Sequence, residues 1–184
     1  MLTAYDSNPS FQRGIAGGGL KTGQIIGATD ARGEQVEGNQ IRNNRIGGVS
    51  IEHGHHNVIA GNKFEKNRDG VQLWANLDEQ RNTAEFGEFF PEGLESHTTE
   101  IRGNDFVRHD HAIHCWSARG ETPLVRCHHF TITDNTLTDN RIAIKLDRVR
   151  DSRVQGNQIL SNVEAGISMT GCQDLAISDN VMDR

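Results

Sequence analysis

The chain repeats itself about every 22 residues, and this periodicity constrains its fold more than any local propensity does. Asn39, Asn62, Asn104, Asn135, Asn157 and Asn180 head successive units. Each stands three residues after an apolar side chain (Val36, Ile59, Ile101, Ile132, Val154, Ile177) and two before another (Ile41, Phe64, Phe106, Leu137, Ile159, Met182). Five residues beyond the first five runs a second polar column of Asn44, Asn67, His109, Asn140 and Asn162. Successive lead asparagines lie 23, 42, 31, 22 and 23 residues apart. Two units are therefore stretched, by insertions of roughly 20 and roughly 9 residues. Such self-similarity predicts a solenoid, in which each unit packs only on its neighbours.

Within one unit lie three short runs, such as residues 57–59, 63–65 and 71–73. They alternate with a period of two and are too short for helices, so they read as strands. Gly61, Asn62, Asn67 and Gly70 punctuate them with residues suited to tight corners. The expected fold is all-β, a solenoid of three strands per coil and five to six coils, with the lead asparagines stacked as an amide ladder. The run from Gly61 to Leu73 reads Gly-Asn-x-(Ile/Phe)-x-x-Asn-x-x-Gly-(Val/Ile)-x-(Ile/Leu). It resembles the repeat of pectate lyases, alginate-modifying enzymes and NosD-type periplasmic proteins, over roughly residues 34 to 184. The resemblance implies a right-handed, single-stranded parallel β-helix; it implies no particular reaction, because the repeat is scaffold.

The domain reading is a non-repeat leader over 1–35 and a β-helix over 36–184, with loop insertions near 76–96 and 117–126. Residues Ile15 to Glu34 resemble a short segment of an uncharacterised sulfatase-like family with an alkaline-phosphatase-type fold. None of that family's metal-binding Asp/His clusters lies among them, and no hydrolase activity is carried over. The leader is expected to be a cap, a disordered segment or a fused remnant. Arg184 stops the sixth coil partway, so the solenoid is expected to be truncated at its C-terminus.

Only 34% of residues are apolar, which a solenoid burying a thin column tolerates. A net charge of −6 and no Arg/Lys run with interleaved aromatics speak against a nucleic-acid partner. No 18-residue apolar stretch predicts a membrane span. The first six residues lack the basic and apolar parts of a signal peptide, although the resembling families are mostly exported. Cys115, Cys127 and Cys172 have no metal-ligand spacing. Cys115 is expected inside as a small hydrophobe, and Cys127 and Cys172 two coils apart at one corner, too far for a bridge.

Both insertions leave the coil after the same strand, on adjacent coils, and a solenoid groups its long loops on its binding side. Alternation points Val71, Leu73, Ile113, Cys115, Ile144 and Leu146 inward. Outward it sends one column of Ser50, Gln72, His114, Lys145 and Ser168, and a second of Glu52, Trp74, Trp116, Asp147 and Thr170. Trp74 and Trp116 suit the apolar faces of sugar rings, with Gln72, Glu52 and Asp147 placed for hydroxyls. Phe86, Phe89 and Phe90 of the longer loop are the alternative partners for the two indoles. His114 beside Lys145 is what β-elimination or C5-epimerisation of a uronate requires, a base beside a cation, with Arg148 a second neutralising group. Glu52 and Asp147, roughly 14 Å apart, are too distant for a glycosidase pair, so only a loop acid such as Asp78, Glu79 or Glu121 would complete one.

A third column, His55, His97 and His128, stands seven residues before three lead asparagines, with His56 and His129 following and His53 close by. Stacked imidazoles could hold Zn²⁺ or Cu²⁺, and the NosD resemblance implies copper; a ladder of solvated rings is the alternative. No calcium nonapeptide occurs in the coils, and the acids of the longer loop have no ordered ligand spacing. The expected function is binding of an extended, uronate-type polysaccharide, with cleavage or epimerisation as its catalytic form. The alternatives are a non-catalytic solenoid and a NosD-like metal-handling protein.

Overall fold

The computed structural model describes strand residues 15–16 and 26–29, and residues 31–75, 95–118 and 127–183. Two strands come first, β1 (Ile15–Ala16) and β2 (Ile26–Thr29). The first full coil holds β3 (Gln35–Glu37), β4 (Gln40–Arg42) and β5 (Gly47–Glu52), and the second β6 (Val58–Ala60), β7 (Lys63–Glu65) and β8 (Asp69–Ala75). The third holds β9 (Glu100–Arg102), β10 (Asp105–Val107) and β11 (His111–Ser117). In the fourth and fifth a short corner strand precedes the usual three: β12 (Cys127–His128), β13 (Thr131–Thr133), β14 (Thr136–Thr138) and β15 (Ile142–Asp147), then β16 (Val149–Arg150), β17 (Arg153–Gln155), β18 (Gln158–Leu160) and β19 (Ala165–Thr170). A sixth coil contributes β20 (Ala176–Ser178) and β21 (Val181–Met182).

Among the described residues every strand pairing is parallel and joins equivalent strands of successive coils. Three sheets result, ordered β1-β3-β6-β9-β13-β17-β20, β4-β7-β10-β14-β18-β21 and β2-β5-β8-β11-β15-β19, with β12 and β16 forming a small fourth. This is the parallel β-helix that the repeat predicts.

The corners hold because their amides are paired along the axis. The backbone N–H and Nδ2 of Asn62 both donate to Oδ1 of Asn104, at 2.9 and 3.0 Å, and its Nδ2 also donates to the carbonyl of Val36. The arrangement recurs from Asn39 to Asn180. In the second ladder His109 takes the asparagine place, its Nδ1 accepting the N–H of Asn67 at 3.0 Å. Buried amides that would each cost about 1–3 kcal/mol unpaired are thus satisfied by their copies one coil away. Ahead of each lead asparagine the backbone turns through the left-handed region, with glycine at 38, 61, 103 and 156 (Gly61 at φ +61°) and aspartate at 134 and 179.

Inside, apolar side chains stack in columns, and Val71, Leu73, Ile113, Cys115, Ile144 and Leu146 are buried as alternation predicts. Phe64 and Phe106 stack with ring centres 4.6 Å apart. In the coils nearest Arg184, Met169, Ile177, Val181 and Met182 are exposed.

Residues 1–35 read in sequence as a leader outside the repeat, yet the strands described within that span extend two sheets. Ile15 and Ala16 pair with Val36 and Glu37, and residues 26–29 pair in register with residues 49–52 of β5. All three cysteines are free, and Cys127 and Cys172 sit two coils apart across Val149 as expected.

Candidate functional site

The third sheet carries the longest strands, and its outer face carries both expected columns in register. Ser50, Gln72, His114, Lys145 and Ser168 lie side by side on successive coils, as do Glu52, Trp74, Trp116, Asp147 and Thr170. Ala75 pairs with Ser117 at the strand ends, so both long connections leave from neighbouring positions. The loop residues Asp78, Glu79, Phe86, Phe89, Phe90 and Glu121 lie outside the described residues.

Trp74 and Trp116 stack on one another with ring centres 6.1 Å apart and planes 6° from parallel. One face of each indole is thus turned to its neighbour. The Trp74 indole N–H donates to Glu52 Oε1 at 2.8 Å. That of Trp116 is buried and has no acceptor among the described residues, a costly state for a donor. The half-buried His114 ring lies 6.3 Å from Trp116, and its buried Nδ1 also lacks a partner among the described residues. Lys145, next along the column, makes no ion pair among them. Arg148 is already committed: its guanidinium donates twice to the carbonyl of Ser117 and contacts Asp147 at 2.8 Å. It braces the exit from β11, since Ser117 Oγ also holds the N–H of Cys127.

His55, His97 and His128 do form a column. Their rings stack with centres 4.9 Å apart and planes within 5° of parallel. Parallel rings at that separation direct their in-plane lone pairs side by side, and three such nitrogens do not converge on one ion. The column instead packs crosswise against its neighbours: His56 meets His55 edge-on, and His129 meets His128, with Nδ1 atoms 2.8 and 2.5 Å apart. Burial, then Arg150, His97 and His129, hold the His128 imidazole down at about 4.

A group that sequence reasoning missed lies beside His114. Asp69 and His111, paired across β8 and β11, are both buried. His111 Nδ1 is 2.6 Å from Asp69 Oδ1, and His114 Nδ1 is 4.0 Å from Asp69 Oδ2. Burial raises the Asp69 carboxyl, but the hydrogen bond with His111 and the nearby His114 ring outweigh that and bring it to about 2, leaving an anion at neutral pH. Arg141 Nη2 stands 2.8 Å from His111 Nε2, while its other nitrogens reach Glu164 at 2.5 Å and Asp110 at 3.9 Å. The missed signal was positional. Asp69 and His111 each stand seven residues after a lead asparagine, at the corner where two-residue alternation stops applying.

The comparisons with known proteins agree with this architecture. The family model described as right-handed beta helix region matches residues 24–129, and that of the periplasmic copper-binding protein (NosD) matches residues 82–184. No curated protein matches the chain. Among solved structures, the Dettilon tailspike protein (gp208) is similar at a TM-score of 0.65 and 17% identity, over 83% of this chain. This chain spans 32% of the tailspike's length. With three parallel sheets, stacked asparagine corners and matches over both halves, the chain belongs to the right-handed parallel β-helix repeat family that includes NosD.

Proposed function

We propose that the outward face of β8, β11 and β15 binds an extended, acid-bearing polysaccharide. The observation that carries this reading is the register of Trp74, Trp116, His114 and Lys145 on three successive coils, with the two indoles stacked side by side. A polymer laid along the helix axis meets one set of side chains per coil, about 4.8 Å apart. The half-buried indoles of Trp74 and Trp116 offer apolar contact to sugar rings, Gln72 and Glu52 polar contacts, and Lys145 the charge for an acidic substituent. Binding is favoured over turnover, because Arg148 is held by Ser117 and Asp147 and only Lys145 is left to neutralise a carboxylate.

The NosD description names copper. In this chain the stacked His55, His97 and His128 do not converge on an ion, and no metal role is derived through them.

Glycan-array binding followed by titration with the best acidic oligosaccharide tests the reading. Trp116→Ala and Lys145→Ala should each weaken binding about tenfold, and Trp74→Ala at least as much. A separate open depression of about 570 Å³ at the second polar corner is lined by Arg45, Lys66, Arg68 and Arg108. If Arg45→Ala with Arg68→Ala abolishes binding while the tryptophan variants leave it intact, the ligand sits there and the strand-face reading fails.

A further inference from the structure

We propose that Asp69, His111 and His114 form a binding site for one divalent cation of the zinc and copper class, which Arg141 guards. The site stands independently of the glycan reading. One ligand atom from each residue lies within 4.8 Å of the others, around the buried carboxylate of Asp69. Two imidazoles and a carboxylate make a donor set for borderline divalent ions rather than for calcium or magnesium, which prefer oxygen. Tetrahedral ligand bonds of about 2.0–2.2 Å set ligand atoms roughly 3.3–3.6 Å apart, so the His114–Asp69 pair at 4.0 Å has to close and the His111–Asp69 pair at 2.6 Å to open, each by about 1 Å or less. His114 is prepared for the role. Its Nδ1 faces Asp69 across 4.0 Å with no hydrogen bond, so no existing contact has to break when it takes up a metal.

His111 is not yet prepared, and this gives the site its control. The Arg141 guanidinium can only donate, so His111 Nε2 accepts and the ring proton sits on Nδ1, shared with Asp69. Ligation through Nδ1 requires that proton to move to Nε2. The ring stays neutral and no net proton leaves it, but Nε2 then bears a hydrogen facing Arg141, and two donors cannot share that contact. Arg141 must withdraw toward Glu164 and Asp110, which it already touches. Cation and Arg141–His111 contact therefore exclude one another. The Lys145 ammonium one coil from His114 adds repulsion, which sets affinity without changing the ligand set.

The test is calorimetric titration of the whole chain with Zn²⁺, and with Cu²⁺ read by electron paramagnetic resonance, with folding of each variant checked by circular dichroism. One equivalent should bind, and the copper spectrum should show coupling to imidazole nitrogen. His114→Ala, which removes no hydrogen bond among the described residues, should lose that site by at least about tenfold, as should Asp69→Asn. His97→Asn should leave it unchanged, and Arg141→Met should tighten it several-fold. Unchanged affinity in His114→Ala, or loss of the site in His97→Asn, places the metal elsewhere and overturns the assignment. An Arg141→Met variant that binds no tighter than the parent overturns the guard.

Discussion

At position 109 a histidine does an asparagine's work, because the imidazole offers one acceptor where the carboxamide offered its oxygen. Its Nδ1 receives the Asn67 N–H, and burial lowers its affinity for a proton, so the ring serves the ladder in its neutral form. His128 is held neutral for a different reason. It stands half-buried between His97 and Arg150, with His129 across its edge and Asp151 opposing them weakly. Its folded value is about 4, against an ordinary 6.5. Between these values the unfolded chain binds a proton that the folded chain does not, so stability rises with pH there and falls as pH drops from about 6.5 toward 4. Thermal melts across that window should show the decline, and His128→Gln should flatten it while changing little at pH 7.5. A His128→Gln profile as steep as the parent's would place the titrating group elsewhere.

At the scale of elements, the width of the solenoid is set where a small residue faces a large one on the next coil. A Cβ placed on Gly70 would stand 2.5 Å from the carbonyl of Ala112 and 2.7 Å from the Phe106 ring; one on Gly48 would stand 3.0 Å from Phe64. In the following coils Ala112 and Ala143 hold the same register, where Leu137 and Ile159 have replaced the rings. Gly70→Ala should therefore cost about 1–3 kcal/mol by overpacking. Phe106→Leu should recover part of that loss in the double variant, a coupling measurable by denaturant titration of the four-member cycle. Strictly additive losses would mean that the Ala112 carbonyl alone is responsible. Much of this was legible in sequence, because stacked columns turn spacing into contact: the two asparagine ladders, the inward residues and the Trp74–Trp116 and His114–Lys145 neighbours all follow from counting along the repeat. What counting missed lies at corners. There the chain leaves the two-residue alternation, and Asp69 and His111 face the same side as His114 although strand parity does not put them there. Ring orientation was equally out of reach, since spacing places three imidazoles 4.9 Å apart but cannot say that their planes lie parallel.

For the whole molecule, stability is close to a sum over neighbouring coils, since each coil touches only the one above and the one below. β13, β14 and β15 are paired on both sides and surround a fully buried column. β20 and β21 are paired on one side only, and Ile177, Val181 and Met182 are exposed beside them. In the 184-residue chain, opening the sixth coil breaks one interface and exposes little new apolar surface, whereas opening the fourth breaks two. Native-state hydrogen exchange should show protection falling from the amides of β13–β15 through β17–β19 to β20–β21, with the terminal coil opening well below the global unfolding free energy. The Asn157 backbone amide, which donates to Asn180 Oδ1, should exchange with the terminal coil, and that of Asn104, which donates to Asn135, with the interior. A single opening free energy shared by all of these amides would show that the coils unfold as one unit. The per-coil picture of this β-helix would then have to be given up.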